Sequence, residues 1–563
     1  MYMKSIKKIL VGLVVGVSST LFYSCEDLSE INKNPNNAES VSSNYILSYV
    51  LTNTGKSHYG LADLSTKIAG AMQYSPVGTN FNADIINQFA WTHEGGPWAT
   101  YYDILRNIEL IKENSEKDNN KFFKAIALTL KSFVFGTATD LYGDIPYSEA
   151  LKAKNGQYFP KYDPQKEVYK GILEDLREAN VLLGSLEAKD AVNPSSDVLF
   201  KGDASKWRKF TNSLRLRYVM RLSGKKDEMS ASGVNLDAEF ADAVSGVFAS
   251  NADDAKIDFL GTNSENSTSG GPINSSNPNY SSKLGKSFVD KLIELHDPRL
   301  ERWAEPVLMK WHPSATVEKD TTFKNIFGDS FTVKLLPSKG VANVDTNMYV
   351  GLPVGIPVQQ VQLYNKGNST ETYRDERSPF ISFTHSRYRK NIDPLIVMNL
   401  MTYAEVKFIL AEAAARGIFG VSDAEAHYKA AIKASMDKWG VGSATNFNFE
   451  NYYAQPKVAL SGTTDKLERV MEQKWISSWL HPEAWFDWRR TGLPKLTVGS
   501  AAFYGSDLPL RYMYPTPNLD PNYLPNYQSA LERLEPTTRV PAGQSRDHHY
   551  SKMWLLQGTG KPW

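Results

Sequence analysis

"MTYAEVKFILAEAAARGIFGVSDAEAHYKAAIKASMDKWG", residues 401–440, decides the fold class. Tyr403, Val406, Leu410 and Ala413 recur at helical spacing and give the first half one apolar face. Gly417 and Gly420 interrupt the pattern, and Ser422 is placed to cap a second helix with Glu425 at the capping-box position. Alanines on the packing face let two helices lie close together. The segment therefore reads as a helix–turn–helix of tetratricopeptide size, without the usual Trp/Leu/Gly signature of that repeat.

Working outward, the same periodicity returns. Phe122, Ile126, Leu130 and Phe133 form one stripe, Trp207, Phe210, Leu214 and Tyr218 another, and Met471, Trp475 and Trp479 a third. Candidate helix pairs are 121–140 with 163–183, 204–223 with 236–248, 400–440, and 464–488. Their irregular spacing excludes a uniform solenoid. "WATYYDILRNIELI" at 98–111 reads as a further helix whose Trp98, Tyr102 and Leu105 belong in the core. Gly/Pro/Ser/Asn/Tyr-rich chain fills 251–394 and 500–563, and stretches of that length carry function or short local structure. No linker separates domains. The expectation is a mainly α protein, residues 46–563 forming one helical scaffold with elaborated loops and minor β structure on one side.

Composition narrows the class of function. Lys+Arg 63 against Asp+Glu 62 leaves a net charge of +1, so no global field draws the chain to nucleic acid. Mean hydropathy is −0.40. One cysteine, Cys25, excludes an internal disulfide framework and any Cys-based zinc site. Ahead of it, Lys4, Lys7 and Lys8 precede the apolar run "ILVGLVVGV". That run is shorter than the roughly 20 residues a membrane-spanning helix needs and matches a secretory signal. "LFYSC" resembles a lipoprotein processing site, which makes residues 1–24 a removed signal and Cys25 the acylated first residue. Glu26, Asp27 and the polar "NKNPNN" then read as a solvated tether over 25–45.

Enzyme motifs are scarce: the chain holds no HExxH, GxSxG or P-loop. Glu405 and Glu412, seven positions apart, read as an exposed or arginine-paired helix face rather than a catalytic carboxylate pair. His548 and His549 read as a surface pair. The basic segment at 206–226 reads as arginines pairing with acids on neighbouring helices, not as a nucleic-acid site, and Arg489 and Arg490 are expected to pair with nearby acids. No cofactor is indicated. Loop Asp/Asn clusters leave room for a structural calcium ion, without EF-hand spacing.

Taken together, "SCEDLSEINKNPNN", "TDLYGDIPYSEAL", "KWRKFTNSLRLRYVMRLS", "DPRL", "MTYAEVKFILAEAAARG", "QKWISSWLHPEAWFDWRRTGLPKL" and "RYMYP" resemble the SusD/RagB-like outer-membrane lipoproteins of the Bacteroidetes, SusD-like group two. The resemblance implies four tetratricopeptide-like helix pairs with loops packed on the opposite side. It also implies a surface-exposed, lipid-anchored lid on a SusC-like TonB-dependent transporter that captures a nutrient, usually an oligosaccharide. Peptide cargo is the alternative within the same machinery, and a surface hydrolase or an adhesin the alternative outside it.

Sugar recognition uses flat aromatic faces flanked by amides and carboxylates. Two loop regions supply that mix: 72–98, with Tyr74, Asn80 and Trp91, and 274–283 together with the later 302–313, with Asn277, Tyr280 and Trp311. Trp91 and Trp311 lead because they lie in polar loops outside any periodic stripe. Trp475, Trp479, Trp485 and Trp488 read as core.

Overall fold

The computed structural model describes residues 41–76, 83–93, 96–268, 282–370, 378–515 and 521–561. Cys25, the signal segment and most of the tether lie outside them. The long helices are α1 (Ser43–Ala62), α2 (Trp98–Lys117), α3 (Lys121–Tyr142), α4 (Gln165–Leu183), α5 (Ala204–Arg221), α6 (Leu236–Val244) and α7 (Lys286–Glu294). After the loop-rich middle come α8 (Tyr403–Arg416), α9 (Ala424–Lys438), α10 (Lys466–Ser477) and α11 (Glu483–Thr491). From α1 to α6 each helix packs on the next in sequence; α5 then bridges to α8, which packs on α9 and α10.

Every helix read from periodicity is present, and 121–140 packs on 163–183, 204–223 on 236–248, and the two halves of 400–440 on each other. α4 shows why: Val168, Tyr169, Ile172, Leu173, Leu176 and Ala179 are buried on one face, and its charged residues lie on the other. α3 is different. It is apolar almost all round and long enough by composition to cross a membrane, yet 89% of its apolar window is buried between neighbouring helices. The α8–α9 turn differs from expectation in its cap. Gly417 takes φ 64°, but the N-cap of α9 is Asp423, whose carboxylate accepts the Ala426 N–H, rather than Ser422. Glu425 thus moves one position too early for a capping box, and its carboxylate instead accepts the Tyr453 hydroxyl at 3.1 Å. α1 begins at Ser43, inside the expected tether, because Ile46, Leu47, Val50 and Leu51 make a buried stripe.

The segment 251–394 carries local structure. β1 (Ala255–Asp258) pairs antiparallel with β5 (Val397–Met401), with Asp258 opposite Val397 and a bulge between Ala255 and Lys256. β2 (Met309–His312), β3 (Lys319–Lys324) and β4 (Ser330–Pro337) form a three-stranded sheet in which β4 is central, parallel to β2 and antiparallel to β3.

Buried ion pairs tie the helices together. Arg217 of α5 grips Glu405 of α8 through Nε at 2.7 Å and Nη2 at 2.8 Å. Glu483 of α11 accepts from Arg221 and lies 3.5 Å from Arg217. Arg490 forks onto Glu412 at 2.5 and 2.7 Å, and Lys474 meets Asp487 at 2.7 Å. The expected arginine pairing of Glu405 and Glu412 is therefore present, in the interior rather than on an exposed face. Such bidentate pairs fix orientation, because truncating one partner strands a buried charge. Arg489 departs from expectation: its Nη1 donates to the Leu510 carbonyl at 2.7 Å rather than to an acid.

Candidate functional site

The two loop regions singled out in the sequence meet in space. The Tyr74 carbonyl accepts the Gly285 N–H at 2.9 Å. Ser65 Oγ lies 3.3 Å from Ser75 Oγ and 3.1 Å from Ser282 Oγ, so three hydroxyls bridge the regions. Gly285 permits the crossing: a Cβ there would fall 1.8 Å from the Gln73 carbonyl oxygen. A third loop joins through Lys283, buried, whose ammonium donates to the Ser378 and Ile381 carbonyls at 2.8 and 3.0 Å.

Beside this junction opens a cleft of ≈ 670 Å³. α1 contributes Ser57, Gly60 and Leu61, the following turn Ser65, Thr66 and Lys67, and the far wall Ile85, Ile86, Thr92 and Tyr512. Lys67 is held in place. Its Nζ donates to the Thr92 carbonyl at 3.0 Å and sits 5.8 Å from the Trp91 ring centroid and 5.4 Å from that of Tyr512. The cleft therefore sets hydroxyls and one oriented ammonium against apolar Leu61, Ile85 and Ile86.

Three of the predicted contact residues are core. Trp91 is 4% exposed, packed against Trp485, Tyr512 and His549 behind the cleft wall. Tyr74 is fully buried, stacked on Trp475, with its hydroxyl donating to the Trp475 carbonyl at 2.5 Å. Trp311 is 3% exposed, stacked on Phe380, with Nε1 donating to the Asn365 carbonyl at 2.8 Å. Their polar sequence surroundings concealed that elements distant in sequence pack over the rings and, for Tyr74 from α10 and for Trp311 from the loop at Asn365, supply the acceptor each needs. Asn80, Asn277 and Tyr280 lie outside the described residues. The tryptophans of 473–490 are buried, as expected.

His548 and His549 are also buried, correcting their reading as a surface pair. Their rings stack with centroids 4.5 Å apart, and Tyr504 packs on both. Burial, reinforced by Arg511, holds His548 down to about 4, and burial keeps His549 well below its usual range. Among the described residues, no group of three His, Cys, Asp or Glu is placed to hold a metal ion.

Sequence reasoning missed Lys67, Tyr512 and Phe503. Phe503 is 64% exposed, and its N–H donates to the Gln88 carbonyl at 2.8 Å, which ties the 500s loop to the first region. The available signal was an aromatic pair among small residues, "SAAFYGS". The serine bridge had no local signal at all.

A helical scaffold with long loops packed on it and a surface cleft between α1 and those loops defines the class. The SusD-like family model described as starch-binding and associating with the outer membrane matches residues 35–315 and 336–515, and the chain belongs to that family. Solved structures share the fold. A SusD homolog of Bacteroides fragilis is 24% identical with TM-score 0.67, over 92% of this chain and 99% of its own. A SusD/RagB family protein of Bacteroides thetaiotaomicron is 22% identical with TM-score 0.63, over 92% and 100%. A chitin-binding protein is 24% identical with TM-score 0.68, over 91% and 99%. No curated protein matches the chain.

Proposed function

We propose that this protein captures an oligosaccharide at the cleft beside Lys67 and passes it to a SusC-like TonB-dependent transporter, held on the cell surface by lipid on Cys25. Membership of a starch-binding, outer-membrane-associating family supports a glycan cargo. The observation that carries the reading is the meeting of the two loop regions through Ser65, Ser75 and Ser282 beside an open cleft. Pyranose rings present hydroxyls around their rims and C–H groups on their faces. A wall that alternates hydroxyl and ammonium groups with Leu61, Ile85 and Ile86 matches both. The interior carboxylates Glu405, Glu412, Glu483 and Asp487 are committed to Arg or Lys, which leaves them no part in hydrolysis.

Gly60 supplies the test. It is exposed on α1, and a Cβ there meets nothing within 4 Å, so Gly60→Trp fills the cleft without disturbing the core. Calorimetry with malto- and chito-oligosaccharides is expected to give heat with at least one series. The variant should weaken that binding about tenfold or more, a loss of ~1.4 kcal/mol, with its urea midpoint unchanged. Heat with no glycan overturns the reading, and heat with peptides alone reassigns the cargo.

A further inference from the structure

A second cleft, ≈ 310 Å³, is bounded by α1, the turn entering α5, and β1. Its floor is apolar: Leu199, Phe200, Ile257 and Met398 are all buried. Its rim is cationic, with Lys56 from α1, Lys201 from the turn, Lys206 from α5 and Lys256 from β1. Three lysines on the neighbouring helices meet acids: Lys124 reaches Glu178 at 2.7 Å, Lys131 reaches Asp175 at 2.8 Å, and Lys209 reaches Asp253 at 2.9 Å. Here Lys206 donates to the Ala252 carbonyl at 2.8 Å. The ammonium groups of Lys56, Lys201 and Lys256 have no ion pair or hydrogen bond among the described residues.

Two acids line the cleft. Asp258 is exposed, whereas Asp254 is buried and accepts the Tyr403 N–H at 2.7 Å. Burial pushes Asp254 up to about 6, against the opposing pull of Lys438 and Lys256. Four lysines thus outnumber two acids over an apolar floor, in a concavity of the size small ligands occupy. Converging like charges in a concave surface favour an anion, and the floor favours a ligand with an apolar face.

We propose that this cleft binds an anionic sugar residue, its carboxylate or sulfate on the lysine rim and its C–H face on the apolar floor. The proposal rests on the glycan-capture reading and adds a second, charge-selective subsite to it. The test titrates the full protein with oligogalacturonides, sulfated carrageenan oligosaccharides and neutral oligosaccharides, at low and high salt. One acidic series should bind and weaken with salt. In Lys56→Ala/Lys256→Ala that affinity should fall at least about tenfold, the charge-assisted bonds being lost. The Gly60→Trp variant should keep it. Neutral-sugar binding in the double variant, together with its urea midpoint, shows that it is folded. The proposal is overturned if neither acidic series binds, or if the double variant binds it like the parent protein. Continued neutral-sugar binding then leaves the capture reading standing, whereas loss of all glycan heat removes both.

Discussion

Trp311 and Trp91 show how a single residue is misread when its neighbours in sequence are not its neighbours in space. Both sit in polar stretches with no periodic stripe, which suggests an exposed platform for sugar. In the fold Trp311 closes a small cluster with Met309, Leu336 and Phe380, its indole N–H satisfied by Asn365. Its ring faces are spent on packing. Trp311→Ala should therefore cost ~3–5 kcal/mol of stability, the usual loss for a buried large-to-small change. The readout is a lower urea midpoint together with unchanged oligosaccharide heat at a temperature where the variant is folded. Loss of glycan heat at full stability would restore Trp311 as a contact residue. Lys67 is the converse case. It carries no motif, yet the tertiary structure fixes its ammonium over two rings beside the cleft.

Among the elements, the α8–α9 pair was legible nearly to the residue, because both helices advertise themselves by periodicity and the turn by glycine. Its cap was not. Asp423 takes φ 57° and places its carboxylate over the Ala426 N–H, a left-handed N-cap position that aspartate tolerates better than most residues. Asp423→Ala should lower stability by ~1 kcal/mol or more, from the lost cap and an alanine in left-handed backbone. Ser422→Ala should be near neutral. Equal losses at both positions in chemical denaturation would place the cap at Ser422 after all. The short strands of 251–394 were not legible. β1 finds its partner β5 about 140 residues along the chain, and no local pattern records that pairing.

For the whole molecule, the buried charge network and the buried histidines set the response to acid. Burial holds His481 down to about 3, His385 and His548 to about 4, and keeps His58 and His549 well below their usual range. In the unfolded chain these rings titrate near 6.5. Below that value the unfolded state binds protons the folded state refuses, so stability present above about pH 6.5 is lost as pH falls towards the folded values. Asp254, raised to about 6, works in the opposite direction, favouring the fold as pH drops through 6, and burial raises Asp140, Asp144, Asp175, Glu301 and Glu405 in the same sense; the five rings act first, because they titrate near 6.5 in the unfolded chain. The urea midpoint should fall between about pH 7.5 and pH 6. A midpoint that is flat or rises over that interval contradicts the burial of these rings.

The sequence alone determined most of the long helices, though not α1 or α7, and the family. Each of those rests on local periodicity or on short motifs that survive out of context. It also located the two regions that meet beside the cleft, because glycine-, proline- and asparagine-rich chain without a periodic stripe marks turns and irregular structure. Only the tertiary structure decided which side chains face the cleft. That outcome depends on the crossing at Gly285, the Ser65–Ser75–Ser282 bridge and the packing of Trp91 behind Lys67, contacts between residues up to several hundred positions apart. Burial of a ring or a charge is a property of those distant partners, and a linear pattern carries no record of them.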